Sequence, residues 1–496
     1  MSSALEQLRE RLSKIKDLEN ASAILEWDQE THMPAAGVEA RSRQVSTLRQ
    51  MAHELFCEDT TADLLAKAKP ENDLDKDLLR VVKHDFDHAT RLPADLVGEF
   101  SRVTSMAREG WKEGKANNDF SAFEPHLAAV LDCNLRKAEA LGYEDEPYDA
   151  LLDEFEPGMK TSEVTSVFEA LRKDLVDLVG QIAKEPVIDE SILTRYYPEK
   201  AQWDLGVRVM SEIGYDFDRG RQDRSAHPFS TTFSVTDSRV TTHLNKHHFN
   251  PAFFGSLHEA GHAMYEQGVD PALDGTPLQD GTSLGMHESQ SRLWENLVGR
   301  SRPFWDHYFP LVQRYFPAAL SGVSEGEFYR AVNAVRPSLI RIEADEVTYN
   351  LHIMARFELE RAMLSGEVKP AQLPEAWNAR MRDYLGVAPD TDSEGCLQDI
   401  HWSLGAFGYF PTYALGNLMS AQLWSAMERD LGSLEDLVAN GEFSPLLGWL
   451  RQNVHRHGRR KTATQILEAT YGSGLDAGPW MAYARKKFGD LYDVAA

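Results

Sequence analysis

The chain has 496 residues, of which 42% are hydrophobic, and this composition excludes an intrinsically disordered protein. Its 52 Lys and Arg residues stand against 78 Asp and Glu residues, which gives a formal net charge of −26. A surface this acidic repels nucleic-acid phosphates and anionic lipids. We therefore expect no nucleic-acid partner and no membrane partner.

The three cysteines, Cys57, Cys133 and Cys396, are too scattered for a disulfide framework or a CxxC metal site. Such sparse use of cysteine is typical of a reducing compartment. The first twenty residues are charged throughout and lack the apolar core of a signal peptide, and no apolar run approaches the length of a membrane span. These features together predict a cytoplasmic protein.

Apolar residues recur every three or four positions along most of the chain, which predicts amphipathic helices. Near the N-terminus the apolar positions are Leu5, Leu8, Leu12, Ile15 and Leu18. Further helices are predicted over Val164–Ala183, Phe328–Leu339, Val347–Leu364, Leu415–Leu431 and Phe443–Val454. Because no linker or repeat interrupts this pattern, we predict a mainly α protein with a single domain over residues 1–496.

One segment, His227–Leu244, departs from the helical pattern. It is rich in Ser, Thr, Val and Phe and contains no Ala, Glu or Lys, so it predicts a β-hairpin or small sheet. On a helical body such a hairpin would expose an unpaired edge, which could bind an extended peptide by strand addition. A hairpin that only decorates the surface is the alternative.

The strongest chemical signal is an HExxH motif, in which His258 and His262 flank Glu259. Asn250 as N-cap and Gly268 as C-terminal stop predict that the motif lies within one helix. Residues four apart on a helix lie one above the other, so both imidazoles can reach one metal ion. Glu259 projects about 100° around the axis, where it can act as general base toward a metal-activated water.

A catalytic zinc site needs a third protein ligand. We prefer Glu288, near the start of a helix predicted over Met286–Val298, since the intervening loop is long enough to return this helix beside the first. Glu295 is the second choice. Other acidic or histidine side chains in this stretch are Asp274, Asp280 and His287.

Five short blocks occur in order between His227 and Trp402. They are His227-Pro228-Phe229, Asp237-Ser238-Arg239-Val240-Thr241, the HExxH with His287-Glu288-Ser289-Gln290, Ile340-Arg341-Ile342-Glu343-Ala344-Asp345, and Gly395-Cys396-Leu397-Gln398-Asp399-Ile400-His401-Trp402. Together they resemble the carboxypeptidase Taq family of thermostable metallocarboxypeptidases. Each block except HExxH is weak alone, but the joint occurrence in order is specific.

The resemblance implies a saddle-like, mainly helical single domain with a deep groove and a small sheet near the metal, similar to angiotensin-converting enzyme and neurolysin. It also implies a homodimer that removes single residues from the C-termini of peptide substrates, with Zn²⁺ or Co²⁺ as the metal. Metal ligands would be His258, His262 and Glu288. Two other functions remain open: an endopeptidase of the same architecture, and an inert helical scaffold with a structural metal.

A carboxypeptidase needs a cation for the terminal carboxylate of its substrate, and Arg binds a carboxylate bidentately. Arg341 is the first choice and Arg239 the second. The alternative for Arg341 is an ion pair with Glu343 or Asp345.

The remaining roles follow from the resemblance. His401 and Tyr413 would donate hydrogen bonds to the tetrahedral intermediate, with Tyr409 as the competing tyrosine. Gln398, which is assigned to substrate binding, and its neighbour Asp399 would orient these groups or the substrate, or else only satisfy the core. Asp345 would bind the second nitrogen of a ligand histidine.

Overall fold

Helices form most of the structure, a computed structural model that describes residues 3–494, and the mainly α prediction is confirmed. In chain order the α-helices are α1 (Ala4–Thr31), α2 (Val38–Cys57), α3 (Asp59–Lys67), α4 (Asp73–Arg91), α5 (Ala94–Asn117), α6 (Phe120–Leu141), α7 (Pro147–Leu152), α8 (Thr161–Ile182), α9 (Glu199–Ile213), α10 (Phe249–Gln267), α11 (Leu284–Arg292), α12 (Arg302–Tyr315), α13 (Glu325–Val332), α14 (Thr348–Leu364), α15 (Leu373–Leu385), α16 (Pro411–Leu431), α17 (Leu434–Ala439), α18 (Ser444–Asn453), α19 (Ala463–Thr470) and α20 (Gly478–Tyr492). Within residues 3–494, no helix is both long enough and apolar enough to cross a membrane.

The helices pack into two compact units, and each unit is assembled from three separate segments of the chain. Unit 1 consists of the segment ending at Thr90, Asp189–Val332 and Leu423–Gly472. Unit 2 consists of Arg91–Ile188, Asn333–Gln422 and the segment beginning at Ser473. Neither unit is a continuous stretch of sequence, so a shift in composition along the chain could not reveal the division. The single domain over residues 1–496 stays a prediction.

Most predicted helices agree with the structure to within a few residues. The exception is Phe328–Leu339, because α13 ends at Val332 and the chain is not helical from there to Ile340. Pro337 explains part of this error, since proline disfavours the helical conformation of the residue before it. The apolar spacing continued beyond the point where the helix stops.

The β-hairpin prediction is confirmed within a three-stranded sheet. Strand β1 is Gln222–Arg224, β2 is Ser230–Ser234 and β3 is Asp237–Thr242. The order is β1-β3-β2, with β2 antiparallel and β1 parallel to β3. The sequence missed β1 because three polar residues carry no strand pattern. Strand β2 remains an edge strand, and both β2 and β3 pack against α10.

An aromatic core in unit 1 holds α10 in place. The rings of Phe249 and Phe253 stack 5.1 Å apart, and they contact Phe328 and Trp305 at 5.2 and 5.5 Å between centroids. α10 begins at Phe249, whose ring is buried in this core, and His248 is the N-cap, so the prediction of Asn250 as N-cap is wrong.

The C-terminal stop of α10 at Gly268 is confirmed. Close packing determines the glycine here, since a Cβ at this position would lie 2.4 Å from His455 Nδ1.

Candidate functional site

The HExxH motif lies in the middle of α10, in unit 1. The imidazole centroids of His258 and His262 are 4.9 Å apart, as expected for residues one helical turn apart. The aromatic core holds the first half of this helix, and the one-turn spacing presents the two histidines together.

A glycine inside the motif lets α11 approach. A Cβ at Gly261 would lie 2.6 Å from the carbonyl oxygen of Gln290, so only glycine allows the two helices this contact. The approach places Glu288 opposite both histidines. Its Oε2 is 3.6 Å from His258 Nε2 and 3.4 Å from His262 Nε2.

The second helix starts two residues before the predicted Met286, because the side chain of Ser283 accepts the backbone N–H of Met286 and caps α11. After Arg292 the path continues as a π-helix, Leu293–Val298, which carries Glu295 and ends at the predicted residue. Such π-turns inside helices occur frequently at functional sites.

The side chains of His258, His262 and Glu288 form a group with the composition of a metal site. Their ligand atoms all lie within 4.8 Å of one another. Two ligands placed tetrahedrally at 2.0–2.1 Å from one zinc ion would be about 3.3 Å apart. The distances from Glu288 to the two imidazoles are close to that value, so His258, His262 and Glu288 fit a metal ion with little rearrangement.

Charges around the group favour a cation. Burial would raise the pKa of Glu288, but Arg292, which donates to its Oε1 at 2.7 Å, and His258 hold that pKa well below its usual range. Burial would likewise lower the pKa of His258, but Glu288 and Glu295 raise it to about 9. Carboxylates that stabilise a proton on this imidazole also attract a metal ion that competes for it.

The second nitrogen of each histidine has a partner within unit 1. His258 Nδ1 lies 2.9 Å from Glu295 Oε2, and His262 Nδ1 lies 2.7 Å from His287 Nδ1. The prediction of Asp345 for this role is wrong, because its carboxylate instead accepts the backbone N–H groups that begin α14.

The other candidate ligands of the sequence have other partners. Glu295 and His287 contact the Nδ1 atoms of His258 and His262, respectively. Asp274 accepts the backbone N–H of Val235, and Asp280 pairs with Lys16 at 2.8 Å.

Glu259, the candidate general base, is 7% exposed. Burial raises its pKa to about 7, and the neighbouring carboxylates of Glu288 and Glu295 act in the same direction. A buried carboxyl group beside a metal-binding group is the arrangement that proton transfer requires.

In unit 2, Arg341 lies on a short 3-10 turn, Arg341–Glu343, and is 6% exposed. Its Nε and Nη2 donate to Asp399 Oδ1 at 3.0 and 2.7 Å, and its Nη1 donates to Tyr349 Oη at 3.1 Å. The ion pair expected as an alternative, with Glu343 or Asp345, is therefore wrong. The partner lies 58 residues away in sequence, where no local pattern could identify it.

Asp399 is shared with a second guanidinium. Arg356, which is fully buried, donates from Nε to Asp399 Oδ2 at 2.7 Å. Arg341 and Arg356 lower the pKa of Asp399 well below its usual range, although burial opposes them. Two positive charges therefore face one carboxylate.

Gln398 positions Arg341. Its Oε1 accepts the backbone N–H of Arg341 at 2.9 Å, and its Nε2 donates to the carbonyl oxygens of Leu339 and Glu394. Since both ends of the amide bind the protein, this geometry favours the orienting role over direct substrate binding.

His401 lies in a second 3-10 turn, His401–Leu404, close to Phe410 and both candidate tyrosines. The ring centroids of Tyr409 and Tyr413 lie 5.3 and 6.3 Å from that of His401. Burial lowers the pKa of His401 to about 4, so the ring is neutral near pH 7. These residues belong to unit 2, and their catalytic roles stay predictions.

Arg239, the second choice for the substrate carboxylate, lies on β3 in unit 1. It binds Asp237 through Nε and Nη2 at 2.8 and 2.7 Å, and its guanidinium lies over the rings of Trp27 and Phe233.

A helical protein with a small sheet, in which an HExxH helix and a carboxylate from the next helix converge, has the features of a metallopeptidase. Comparison with known proteins identifies the family. Residues 7–488 match the sequence profile of the carboxypeptidase Taq (M32) metallopeptidase family, and the chain belongs to this family. It is accordingly a metallocarboxypeptidase, a peptide hydrolase.

Relatives cover nearly the whole chain. Thermostable carboxypeptidase 1 of Thermus thermophilus is 43% identical over 493 residues, with 96% of each chain covered. Carboxypeptidase 1 of Bacillus subtilis is 40% identical over 486 residues, with 97% of each covered. The crystal structure of the M32 carboxypeptidase from Deinococcus radiodurans R1 matches with a TM-score of 0.97 and 43% identity, over 99% of this chain and 100% of that one.

Proposed function

We propose that this metallocarboxypeptidase removes single residues from peptide C-termini with a divalent metal ion bound by His258, His262 and Glu288. The observation that carries this proposal is the convergence of both imidazole Nε2 atoms on Glu288 Oε2, at 3.6 and 3.4 Å. Two neutral imidazoles and one carboxylate are a common zinc donor set, and Co²⁺ accepts the same ligands. Zinc is therefore the proposed metal and cobalt the alternative.

A divalent ion in this position supplies Lewis acidity, which lowers the pKa of water and polarises the peptide carbonyl. Glu259 takes the proton from the attacking water and transfers it to the departing amine. Its place one residue after His258 turns its carboxylate away from the ligand position, as the helical geometry requires.

His401 and Tyr413 are proposed to donate hydrogen bonds to the oxyanion of the tetrahedral intermediate. The support is chemical: the neutral imidazole has an N–H to donate, and a tyrosine hydroxyl belongs to the same cluster. Tyr409, whose ring is nearer to His401, is the competing donor.

Arg341 is proposed to bind the terminal carboxylate. A guanidinium has five N–H groups. Three of them are engaged by Asp399 and Tyr349, which leaves one N–H on each of Nη1 and Nη2. The terminal nitrogens of arginine commonly bind carboxylates in a bidentate way, and these two N–H groups support such a contact. Because Arg341 and Arg356 share only one carboxylate, a substrate anion would balance the remaining charge.

The test compares free and amidated peptides. Mass spectrometry should show stepwise loss of C-terminal residues from free peptides, complete inhibition by a metal chelator, and suppression of cleavage by C-terminal amidation. Internal cleavage of amidated peptides at comparable rates would support an endopeptidase instead. No cleavage of either peptide by the metal-loaded protein would support an inert scaffold.

Two matched variants test the ligand assignment. Glu288→Ala removes the third ligand, so metal content after dialysis should fall sharply. Glu295→Ala removes the hydrogen bond to His258 together with the ion pairs to Arg292 and Arg300. Metal binding should then weaken by about 10–100-fold, the usual cost of losing a partner of a ligand histidine. If Glu288→Ala kept full occupancy while Glu295→Ala lost it, Glu295 would be the ligand.

Two expectations about the protein's surroundings remain proposals. The resemblance to the family supports a homodimer, which sedimentation equilibrium of the purified protein would test. The three cysteines are free thiols in the structure, which supports a reducing compartment such as the cytoplasm. Cell fractionation would test that location.

A further inference from the structure

The two proposed ligand histidines have different hydrogen-bond partners at Nδ1. The chain of hydrogen bonds that begins at His262 is longer by one residue than the one that begins at His258. His262 Nδ1 contacts His287 Nδ1 at 2.7 Å, and His287 Nε2 contacts Glu266 Oε1 at 2.6 Å. His258, by contrast, reaches the carboxylate of Glu295 directly. A second imidazole thus stands between one ligand histidine and its carboxylate.

Once a metal is bound, the protons along the hydrogen-bond chain His262–His287–Glu266 can be assigned in only one way. A ligand nitrogen must keep its lone pair for the metal, so His262 carries its proton on Nδ1. That N–H donates to His287 Nδ1, which accepts. His287 therefore carries its own proton on Nε2, and this N–H donates to the carboxylate of Glu266. Each bond has one donor and one acceptor.

The surroundings of His287 are shaped for this contact. A Cβ at Gly281 would lie 2.6 Å from His287 Cδ2, so a larger residue there would displace the ring. The backbone N–H of Gly281 also donates to Glu266 Oε1 at 3.2 Å. On another side, the Tyr265 ring lies 5.0 Å from the His287 ring. Glu266 itself is only 6% exposed.

We propose that His287 and Glu266 are positioning residues, which form a relay that fixes the tautomer and ring orientation of His262 and thereby retains the metal. This inference rests on the metal site of the proposed function. It assigns to His287 a purpose other than the ligand role for which its sequence position made it a candidate. Gly281 belongs to the same device, because it leaves room for the His287 ring.

The test measures the affinity of the full-length, metal-depleted protein for Zn²⁺ by competition with a chromophoric chelator. His287→Phe keeps a ring of similar size but loses both hydrogen bonds, and it should weaken zinc binding by about 10–100-fold. Glu266→Ala should have a similar effect. Glu266→Gln can keep both bonds through its amide oxygen, so its affinity should lie between that of Glu266→Ala and that of the wild type.

Tyr265→Phe is the matched control, because it alters the same pocket by losing only the hydroxyl that accepts the Thr282 N–H. Its zinc affinity should equal that of the wild type, and circular dichroism should show that every metal-free variant is folded. Gly281→Ala should weaken zinc binding in the wild-type background and have a smaller effect in His287→Ala, where only the Tyr265 ring, 3.0 Å from the added Cβ, remains to be displaced.

A spectroscopic measurement decides the question without relying on affinity. In the Co²⁺-loaded wild type, each ligand histidine should give one slowly exchanging, paramagnetically shifted N–H proton signal. Glu266→Ala or His287→Phe should abolish or speed the exchange of the His262 signal alone. Unchanged affinity and an unchanged signal in both variants would overturn the relay. Unchanged affinity in His262→Ala would instead overturn the metal site itself.

Discussion

The two clusters of candidate functional residues have opposite electrostatic demands. In unit 1, the carboxylates of Glu288, which is buried, and Glu295, which is partly buried, lie beside two imidazoles and favour a cation. In unit 2, the guanidiniums of Arg341 and Arg356 share the carboxylate of Asp399 and favour an anion. An enzyme that hydrolyses the last peptide bond of a chain needs both, a metal ion for the scissile bond and a positive charge for the terminal carboxylate.

The clusters also differ in how they are built. The metal-binding group comes from two consecutive helices, and helical spacing alone brings its histidines together. The arginine cluster draws on three stretches of chain, around Arg341, around Arg356 and from Asp399 to Tyr413. The geometry of the unit 1 group therefore follows largely from local sequence spacing, whereas that of the arginine cluster depends on tertiary packing. Each prediction below tests one of these two clusters or the unit that contains it.

The largest effect is expected from Glu259→Gln in unit 1. The substitution removes the group that accepts and returns the proton, so kcat should fall by about 10²–10⁴-fold. Zinc content should stay near that of the wild type, because Glu259 is not a proposed ligand. Steady-state kinetics combined with metal analysis checks both. Retention of most of the activity would exclude Glu259 as the base.

The local side of the comparison is where the sequence predicted most. The spacing of His258 and His262 and the helix that follows were enough to select Glu288. The partners of the histidines were not predicted, because His287 looks like a ligand in sequence and only the packing at Gly281 shows why it is turned toward Glu266. The one signal available in the sequence was a glycine, Gly281, a few residues before the helix that carries Glu288.

For the arginine cluster of unit 2, the sequence predicted which residue would take part but not which residues would contact it. Arg341 was selected through a family resemblance, and the partner expected nearby in sequence was wrong because Asp399 comes from a distant segment. The same reason explains strand β1, whose pairing with β3 no pattern in three polar residues could indicate. Apolar spacing likewise could not show where α13 ends.

Tyr413→Phe tests the unit 2 cluster. If the phenol donates to the developing oxyanion, its loss should lower kcat by about 10²–10³-fold with little change in KM. Tyr409→Phe is the matched control, since both rings lie near His401. A large loss in Tyr409→Phe with none in Tyr413→Phe would exchange the two assignments.

Arg341→Ala tests the demand for an anion. Loss of two charged hydrogen bonds to the substrate carboxylate should raise KM by roughly 100-fold for free peptides and leave amidated peptides unaffected. Arg341→Lys restores the charge but not the paired geometry, so its KM should be intermediate. Arg239→Ala is the matched control from unit 1. If it alone abolished the preference for free C-termini, the anion site would belong to the small sheet.

The smallest expected effect is on the pH dependence of the free energy of unfolding, to which the two units contribute with opposite signs. Burial raises the pKa of Glu360, in unit 2, from its ordinary value of 4.5 to about 7. Its oxygens accept hydrogen bonds from Tyr148, Trp402 and Gly408, the last two of which adjoin His401 and Tyr409. In unit 1 the shift of Asp85 has the opposite sign: burial would raise its pKa, but hydrogen bonds from His84 and Arg459 lower it to about 2.

The two shifts predict opposite responses. Glu360 is protonated in the folded protein below about pH 7 and ionises near 4.5 when unfolded. Its contribution to stability is therefore complete below pH 4.5 and is lost as the pH rises through 7. Integrating the two titrations between pH 5 and 7 gives a loss of about 2 kcal/mol. The contribution of Asp85 is present above about pH 4 and is lost as the pH falls toward 2.

Urea unfolding of the wild type and of Glu360→Gln at pH 5 and pH 7 isolates the first response, because the difference between the two proteins cancels the other titrating groups. Glu360→Gln should be the less stable protein at pH 5, since an amide leaves one of the three donors without an acceptor. The gap should narrow by about 2 kcal/mol at pH 7, where the wild type has lost the stability conferred by its protonated carboxyl group. A constant gap would mean that Glu360 is already ionised at pH 5. The three hydrogen bonds that it accepts would then outweigh its burial, and unit 2 would contain a second buried anion near the arginine cluster.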